Sequence, residues 1–216
     1  MVLPVSIVVE AAPQLDLQAV QLQLPRRLGE VPSPGWLVEL LAPSAVAPLQ
    51  PPAALREAVR DLLRGYGYKP TGRGKPSSEY LVGAAAEGRL TSINAAVDLG
   101  NAVSLHSGLP ISVVDLGRAV PPFVVRRPAV GSSYVFNRGG QEIDVGGLLC
   151  LCDAEGPCAN AVKDSQRTKT DDATAAVLVL VWAPRFAGGA HAAAAVAWLG
   201  ELAERLAATV RRADVS

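Results

Sequence analysis

The chain lacks an excess of charge of either sign. Its 20 Lys and Arg residues are matched by 20 Asp and Glu residues, so the formal net charge is zero. Without a global positive field, any contact with nucleic acid must come from a local basic patch. This excludes the class of proteins that hold nucleic acid by bulk charge.

Long apolar runs are also missing. A membrane-spanning helix needs roughly 18 uncharged apolar residues in a row, and no stretch of the sequence approaches that length. Pro4 and Glu10 interrupt the first apolar run, and no basic segment precedes it, so no secretory signal is expected. These absences predict a soluble cytoplasmic protein without a membrane partner.

Cysteine and histidine are scarce. Cys150, Cys152 and Cys158 form an odd set, which argues against a disulfide framework. The C-x-C-x5-C spacing could contribute zinc ligands, but the only two histidines, His106 and His191, lie far from it in the sequence. No metal or cofactor is therefore predicted, and the cysteines are expected to pack as small hydrophobic residues. A nucleophilic thiol is the less favoured alternative because no activating base is placed nearby.

Hydrophobic periodicity predicts interspersed helices and strands within one domain of 216 residues. Helices are predicted over residues 51–65, 77–87, 95–107 (ended by Gly108) and 190–212. Strands are predicted over residues 2–9, 123–127, 133–137, 148–153 and 177–182. A change of phase within the alternating stretch 15–24 predicts a β-bulge near Ala19. No βαβ rhythm is present, so the class predicted is α+β.

Three motif-bearing segments follow one another along the chain. The most informative is residues 93–115, in which polar groups interrupt an apolar run in the pattern I-N-x-x-V-D-x-x-N-x-x-S-L-x-x-G-x-P-x-x-x-x-D. Before it lie K-P-T at 69–71 and K-P-S-S-E-Y-L at 75–81, and after it lies A-N-A-V-K-D-S-Q-R-T-K-T at 159–170. Each motif alone is weak because P-S-x-E is also a helix N-cap motif. Three motifs in the same order are hard to obtain by accident.

Together these segments resemble the tRNA-binding and editing module of the bacterial phenylalanyl-tRNA synthetase β subunit, the B3/B4 domain, and above all its free-standing versions. The resemblance covers roughly residues 55–184. It implies a single B3/B4-like domain over residues 1–216, with N-terminal strands and a loop in 1–54 and a C-terminal helix in 187–216. The fold implied is α+β, with mixed and antiparallel β-sheets packed with helices and a long C-terminal helix.

The resemblance also implies where a site would lie. In the synthetase, the module hydrolyses tyrosine wrongly attached to the phenylalanine tRNA. Transfer by position places the pocket turn at Asp98, Gly100 and Asn101, and a further pocket residue at Ser112. The synthetase's glutamate falls at Gln166 or Arg167. Because the threonine, histidine and glutamate of the synthetase are all changed here, a substrate other than tyrosine is implied.

Aminoacyl-ester hydrolysis needs a positioned water, donors toward the developing oxyanion and a hold on the terminal adenosine. The candidate catalytic residues are Asn101, Gln166 and Asp164. The candidate substrate-binding residues are Asp98, Gly100, Ser112, Ser165, Arg167 and Thr168. The candidate tRNA-binding residues are Lys69, Arg73, Lys75 and Lys169, which could contact phosphate. If these roles hold, the turn at Asn101 and the segment around residues 164–168 must converge in space.

Plainer structural roles remain open for most of these residues. Asp98 lies beside a helix start, where Asp is often a cap. The segment around Asp164 and Arg167 could be a capped turn with a solvated ion pair. His106 is expected to be a partly exposed helical residue, and the basic loop could be an ordinary solvated surface.

The function that this reasoning predicts is a metal-free aminoacyl-tRNA deacylase that edits mischarged tRNA in trans. The partner would be tRNA or aminoacyl-tRNA. The alternative is a non-catalytic module on the same scaffold that binds tRNA, an aminoacyl group or an amino acid. Gly83 and Ala84 stand where free-standing relatives have two arginines, which weakens the prediction of tight tRNA binding.

Overall fold

The computed structural model describes residues 4–216, apart from the side chains of Arg73 and residues 186–188. Five helices and eleven strands are assigned in the described part. In chain order they are β1 (Ser6–Val9), β2 (Leu15–Gln23), α1 (Gly35–Glu39), α2 (Leu55–Gly65), α3 (Ser77–Ala86), α4 (Ala95–Ser107), β3 (Ile111–Asp115), β4 (Phe123–Arg126), β5 (Ser133–Val135), β6 (Glu142–Asp144), β7 (Cys150–Asp153), β8 (Gly156–Asn160), β9 (Ala176–Pro184), α5 (Arg185–Arg205), β10 (Thr209–Arg212) and β11 (Asp214–Val215). The start of the first predicted strand, residues 2–3, lies outside the described residues.

Two sheets and a separate hairpin organise these strands. One sheet has the order β11-β1-β4-β7-β8, the other has the order β10-β2-β9-β3, and β5 and β6 form a two-stranded hairpin. Strand β1 runs parallel to β4 and β11, whereas the remaining pairs are antiparallel. The mixed α+β class with helices packed on sheets is confirmed. None of the helices within residues 4–216 is long and apolar enough to cross a membrane.

Strand β9 is the centre of the molecule and is covered on both faces. Its alternate side chains enter two different hydrophobic clusters. Val177, Val179 and Val181 face the helices, whereas Leu178, Leu180 and Trp182 face the five-stranded sheet. This explains the continuous apolar run, and the predicted strand with two buried faces is confirmed.

Strand β2, like β9, contributes side chains to both hydrophobic clusters. Its register against β9 runs without a break from Leu15 opposite Pro184 to Gln23 opposite Ala176. The predicted bulge near Ala19 is therefore wrong. The hydrophobic phase changes because Leu15, Leu17 and Ala19 enter the core between the sheets, whereas Val20 and Leu22 enter the core under the helices.

Helix α4 begins and ends where its sequence predicts. The Asn94 side chain accepts a hydrogen bond from the Val97 N–H at 3.0 Å, which caps the first turn. At the other end Gly108 adopts a left-handed conformation with φ of 75°. Between them, Gly100 lets the helix lie close to β3, since a Cβ built there would lie 2.8 Å from Cγ2 of Val113.

The predicted C-terminal helix over residues 190–212 is correct as an element but wrong in its bounds. Helix α5 begins directly after Pro184 and ends at Arg205. Ala207 then takes a positive φ of 58°, and the chain turns back as β10. Arg211 and Arg212 pair with β2 in this edge strand instead of lying in the last helical turn.

Candidate functional site

A cleft of about 1380 Å³ opens between several elements that carry the sequence motifs. The loop before α3 and α3 itself contribute one part of its lining, and the β5–β6 hairpin contributes another. The rest comes from Asn101 of α4, Ile111 of β3, and the segment from Asn160 to Lys169. The motif segments that are far apart in sequence thus meet at one concave surface.

Asp164 is the carboxylate that contacts the protein interior at this cleft. Its Oδ1 accepts a hydrogen bond from Ser112 Oγ at 2.7 Å and from the Asn160 N–H at 3.3 Å. Burial raises the pKa of Asp164 to about 6, although the Ser112 hydrogen bond and the charge of Lys169 oppose the rise. A carboxyl group with a pKa near neutrality can both take up and release a proton under physiological conditions.

Lys169 lies in the same cleft and carries the opposite charge. Its ammonium group donates a hydrogen bond to the Phe136 carbonyl oxygen at 2.5 Å. Burial lowers the pKa of Lys169, and the charge of Asp164 partly counteracts this effect. The hairpin that supplies Phe136 is therefore tied to the segment that supplies Asp164.

The turn that presents Asp164 is organised by Asn160, which the sequence motif contained but to which no role was assigned. The Asn160 Oδ1 accepts from the backbone N–H groups of Val162 and Lys163, at 2.8 and 2.9 Å. Its Nδ2 donates to the hydroxyl of Tyr134 at 2.5 Å, and that hydroxyl donates to the Lys163 carbonyl oxygen. The available sequence signal was an Asn followed by a short turn to Asp, which is typical of side-chain-to-backbone bonding.

Asn101 lies on the cleft lining one turn inside α4. Its side chain is partly exposed, and no hydrogen bond from another described residue reaches its amide. Asn is a poor residue for a helix interior because its side chain competes for backbone hydrogen bonds. Asn101 is therefore available to a ligand.

Asp98 and Gly100 occupy structural positions beneath the site. The Asp98 side chain is fully buried and accepts hydrogen bonds from Ser33 Oγ, Ser92 Oγ and the Ile93 N–H, at 2.5, 2.5 and 2.8 Å. It joins α4 to two earlier stretches of the chain, one at Ser33 and one at residues 92–93. The cap of that helix is Asn94, while Gly100 provides the close packing on β3 described above.

The segment from residue 165 to residue 168 turns away from the cleft. Ser165 Oγ accepts from the Arg167 N–H, and Thr168 Oγ1 donates to the Cys158 carbonyl oxygen, both at 3.3 Å. The Arg167 guanidinium makes a two-point contact with the Asp153 carboxylate at 2.8 and 2.7 Å. Gln166 lies on the same short 3-10 turn. Asn101 therefore lines the cleft, whereas Arg167 does not.

The basic loop is placed only in part. Lys75 is exposed and contributes to the cleft lining, and Lys69 is exposed nearby in sequence. The side chain of Arg73 lies outside the described residues. Of the four cations predicted to contact tRNA, Lys75 and Lys169 line the cleft.

The comparisons with known proteins bear on this arrangement. The sequence model of the B3/4 domain matches residues 67–185, which is more than half of the chain. The chain belongs to the B3/4 domain family. The matched range contains the elements that line the cleft, from the loop at Tyr68 to Lys169.

A solved structure with the same fold is an N-terminal fragment of the phenylalanyl-tRNA synthetase β-subunit from Pyrococcus horikoshii, with a TM-score of 0.56 and 10% sequence identity. The match covers 98% of this chain and 52% of that one. This B3/4 protein therefore spans about half the length of the fragment, and the likeness shows the fold. A comparison with curated proteins found no match.

His106 and the three cysteines of this B3/4 protein lie in its interior, whereas His191 is partly exposed. His106 is 6% exposed, with Nε2 at 2.9 Å from the Leu40 carbonyl oxygen, so its predicted partial exposure is wrong. The three thiols are buried as predicted, and burial raises the pKa of each of them. No cluster of three metal-ligating side chains occurs among the residues that the structure describes.

Replacing Arg167 with Ala should reduce stability, because the Asp153 side chain is fully buried and would lose its two-point partner. Loss of one partner of a buried hydrogen-bonded group costs about 1–3 kcal/mol, and more when the group is charged. The Val120 and Glu155 N–H groups would still donate to Asp153. Burial alone would raise the pKa of Asp153, but hydrogen bonds from Arg167 and the Val120 N–H outweigh it and hold the pKa below its ordinary value. The pair therefore stabilises the fold above pH about 4 and loses its effect as the pH falls below that value.

Urea unfolding of the wild type and the Arg167→Ala variant at several pH values tests this prediction. The difference in unfolding free energy should be largest near neutral pH and should shrink on acidification. Arg118→Ala is the matched control, since its pair with Asp171 is exposed at 39% and 43% and should contribute less than about 1 kcal/mol. Equal effects of the two substitutions at pH 7 would contradict the assignment.

Proposed function

We propose that this B3/4 protein is an aminoacyl-tRNA deacylase that acts in trans in the cytoplasm and hydrolyses the ester of a mischarged tRNA. The observation that carries the proposal is Asp164, a carboxyl group with a pKa of about 6 that lines a cleft together with Lys169 and Asn101. Membership of the B3/4 domain family supports the substrate class, since a solved structure of the same fold belongs to a tRNA synthetase subunit.

In the proposed reaction Asp164 acts as the general base. Its carboxylate takes a proton from a water molecule while the water oxygen attacks the ester carbonyl carbon. The bond between that carbon and the ribose oxygen then breaks, and Asp164 returns the proton to the leaving ribose oxygen. The products are the free amino acid and tRNA with a free terminal hydroxyl group, and no oxidant, reductant or metal is needed for the balance.

Lys169 and Asn101 supply the polar contacts that such a reaction requires. The Lys169 ammonium group, half-buried beside Asp164, stabilises the negative charge that develops on the carbonyl oxygen. The Asn101 amide, which other described residues leave unbonded, binds the aminoacyl group. Lys75 lies exposed on the cleft lining and contacts the phosphate of the terminal nucleotides.

The purified protein should release amino acid from one or more members of a panel of mischarged tRNAs. The assay follows loss of labelled aminoacyl ester at enzyme concentrations up to equimolar with substrate. Correctly charged tRNAs and a buffer blank serve as controls. Failure to exceed the blank for every member of the panel would contradict the catalytic proposal.

A non-catalytic binding module is the second candidate. It is favoured over an enzyme because nearby cations that are engaged by protein groups stabilise a developing oxyanion less. Arg167 is engaged by Asp153, Lys169 donates to the Phe136 carbonyl, and the net charge of the chain is zero. Filter binding of bulk tRNA at low salt discriminates between the two candidates. Binding without ester hydrolysis would support the module, and hydrolysis would support the enzyme.

A further inference from the structure

Behind Asp164 lies a hydrogen-bonded pair of side chains that no step of the proposed reaction uses directly. Ser112, on the edge strand β3, is fully buried, and Trp182, on the neighbouring strand β9, is 1% exposed. The Trp182 Nε1–H donates to Ser112 Oγ at 3.0 Å. The two residues are 70 positions apart in the chain, and the register of the sheet brings them together.

The direction of the Ser112 hydroxyl follows from the chemistry of its neighbours. An indole N–H can only donate, so it occupies a lone pair of Ser112 Oγ and leaves the single hydroxyl proton for another acceptor. The two acceptors in reach are Asp164 Oδ1 at 2.7 Å and the Asn160 carbonyl oxygen at 3.2 Å. The shorter bond to a carboxylate is charge-assisted and is the stronger of the two. Trp182 therefore directs the hydroxyl proton toward Asp164.

The same carboxylate oxygen also accepts from the Asn160 N–H at 3.3 Å. Both of these hydrogen bonds end on Oδ1, and a backbone hydrogen bond from Val113 also favours the ionised carboxylate. We propose that Ser112 and Trp182 are positioning residues that anchor Oδ1 of Asp164 and favour the ionised form, which serves as the base. This inference rests on the proposed deacylase function and deepens it.

Several other ionisable groups lie close enough to influence the titration of Asp164. The titratable and charged groups near it include Lys169, Tyr134, Cys150 and Cys158, and Lys163, the preceding residue, also lines the cleft. Burial raises the pKa of the phenol and of both thiols, so these three stay neutral near pH 7. Lys169 and Lys163 carry charge, and substitution of Ser112 leaves both lysines in place. A change in Asp164 titration on removing the Ser112 hydroxyl therefore reports the lost hydrogen bond.

The experiment compares Ser112→Ala with Ser104→Ala in the full unliganded chain. Ser104 is the matched control because it is 1% exposed and donates to a backbone carbonyl, that of Leu109, at 2.7 Å. The Asp164 carboxyl is titrated by its carbon chemical shift. Loss of a hydrogen bond to the ionised form should move the Ser112→Ala midpoint up by about one pH unit, and Ser104→Ala should leave it unchanged.

A second pair of variants guards against a folding defect in Ser112→Ala. Trp182→Phe removes the indole donor, and Trp198→Phe removes a buried tryptophan elsewhere, on α5. Trp182→Phe should shift the Asp164 midpoint in the same direction by a smaller amount, and Trp198→Phe should not. The acidic limb of the deacylation rate against pH should move with the titration midpoint in each variant.

The outcomes separate this inference from the proposed function. An unchanged Asp164 midpoint in folded Ser112→Ala or Trp182→Phe protein overturns the positioning role, even if the wild type deacylates. A shifted midpoint supports the anchoring of Oδ1, and a parallel shift of the acidic limb ties that anchoring to catalysis. A wild type without any deacylation overturns the proposed function, while the titration still decides whether Ser112 controls Asp164.

Discussion

Replacing Asp164 with Asn should lower kcat for deacylation by a factor of about 10² to 10⁴, the usual contribution of a general base. Asn has nearly the shape of Asp, and its Oδ1 can still accept from Ser112. The variant therefore keeps the anchor but cannot take up the proton. Initial rates on the best mischarged tRNA, measured at saturating substrate, check this expectation.

The pH dependence of the two proteins sharpens the test. Wild-type activity should rise as Asp164 ionises, with a midpoint near pH 6, and the residual activity of the variant should lack this limb. Asp144→Asn is the matched control, because this carboxylate also contributes to the cleft lining but lies exposed on β6. A variant with wild-type kcat, or equal losses in both variants, would show that Asp164 is not the base.

Asp164→Asn should also separate catalysis from stability. The pKa of Asp164 in the folded chain, about 6, lies above its ordinary value of 3.8, so ionisation of this buried group opposes folding. The contribution of the protonated Asp164 to the free energy of unfolding is fully present below pH about 4. It is lost as the pH rises through about 6 and the carboxyl ionises. The variant lacks this loss, so at pH 7 it should be at least as stable as the wild type.

Replacing Val179 with Asp should unfold the protein. Val179 is fully buried at the centre of β9, opposite Val20 on one side and Val113 on the other. A carboxylate at this position would enter the hydrophobic core under the helices without a partner. An unpaired buried charge typically costs more than about 4 kcal/mol, which is a large share of the stability of a domain.

The control for this substitution is Val8→Asp. Val8 also lies on a strand, β1, but is 50% exposed, so its carboxylate remains hydrated. Far-UV circular dichroism and thermal unfolding should show a folded Val8→Asp protein and loss of the cooperative transition in Val179→Asp. A cooperative Val179→Asp transition close to that of the wild type would contradict the central position of β9.

Local signals were sufficient for the elements whose ends are set by neighbouring residues. The N-cap Asn94 and the left-handed Gly108 bound α4 because the groups that start and stop a helix lie within one turn of its ends. The apolar run of β9 needed no partner to be recognised as a strand covered on both faces. The motif order from residue 69 to residue 170 was sufficient for the B3/4 family, which the family model confirms.

Other features depended on contacts that the sequence does not encode nearby. The alanine-rich pattern continues past Arg205, but the chain turns at Ala207 because β10 completes the edge of the four-stranded sheet beside β2. Strand β3 follows Pro110 directly inside the signature motif, and its pairing with β9 makes it a strand. Strand pairings of this kind join residues that are far apart in the chain, so local sequence propensity does not predict them.

The sequence by itself determined which polar segments belong together, the α+β class and the family. Only the tertiary structure decided which side chains of those segments face the cleft. Within one short segment, Asp164 and Lys169 line it while Arg167 turns back to Asp153. The physical reason is that the direction of a side chain in an irregular segment depends on its long-range partners. Here the partner of Asp164 is Ser112, and the partner of Arg167 is Asp153.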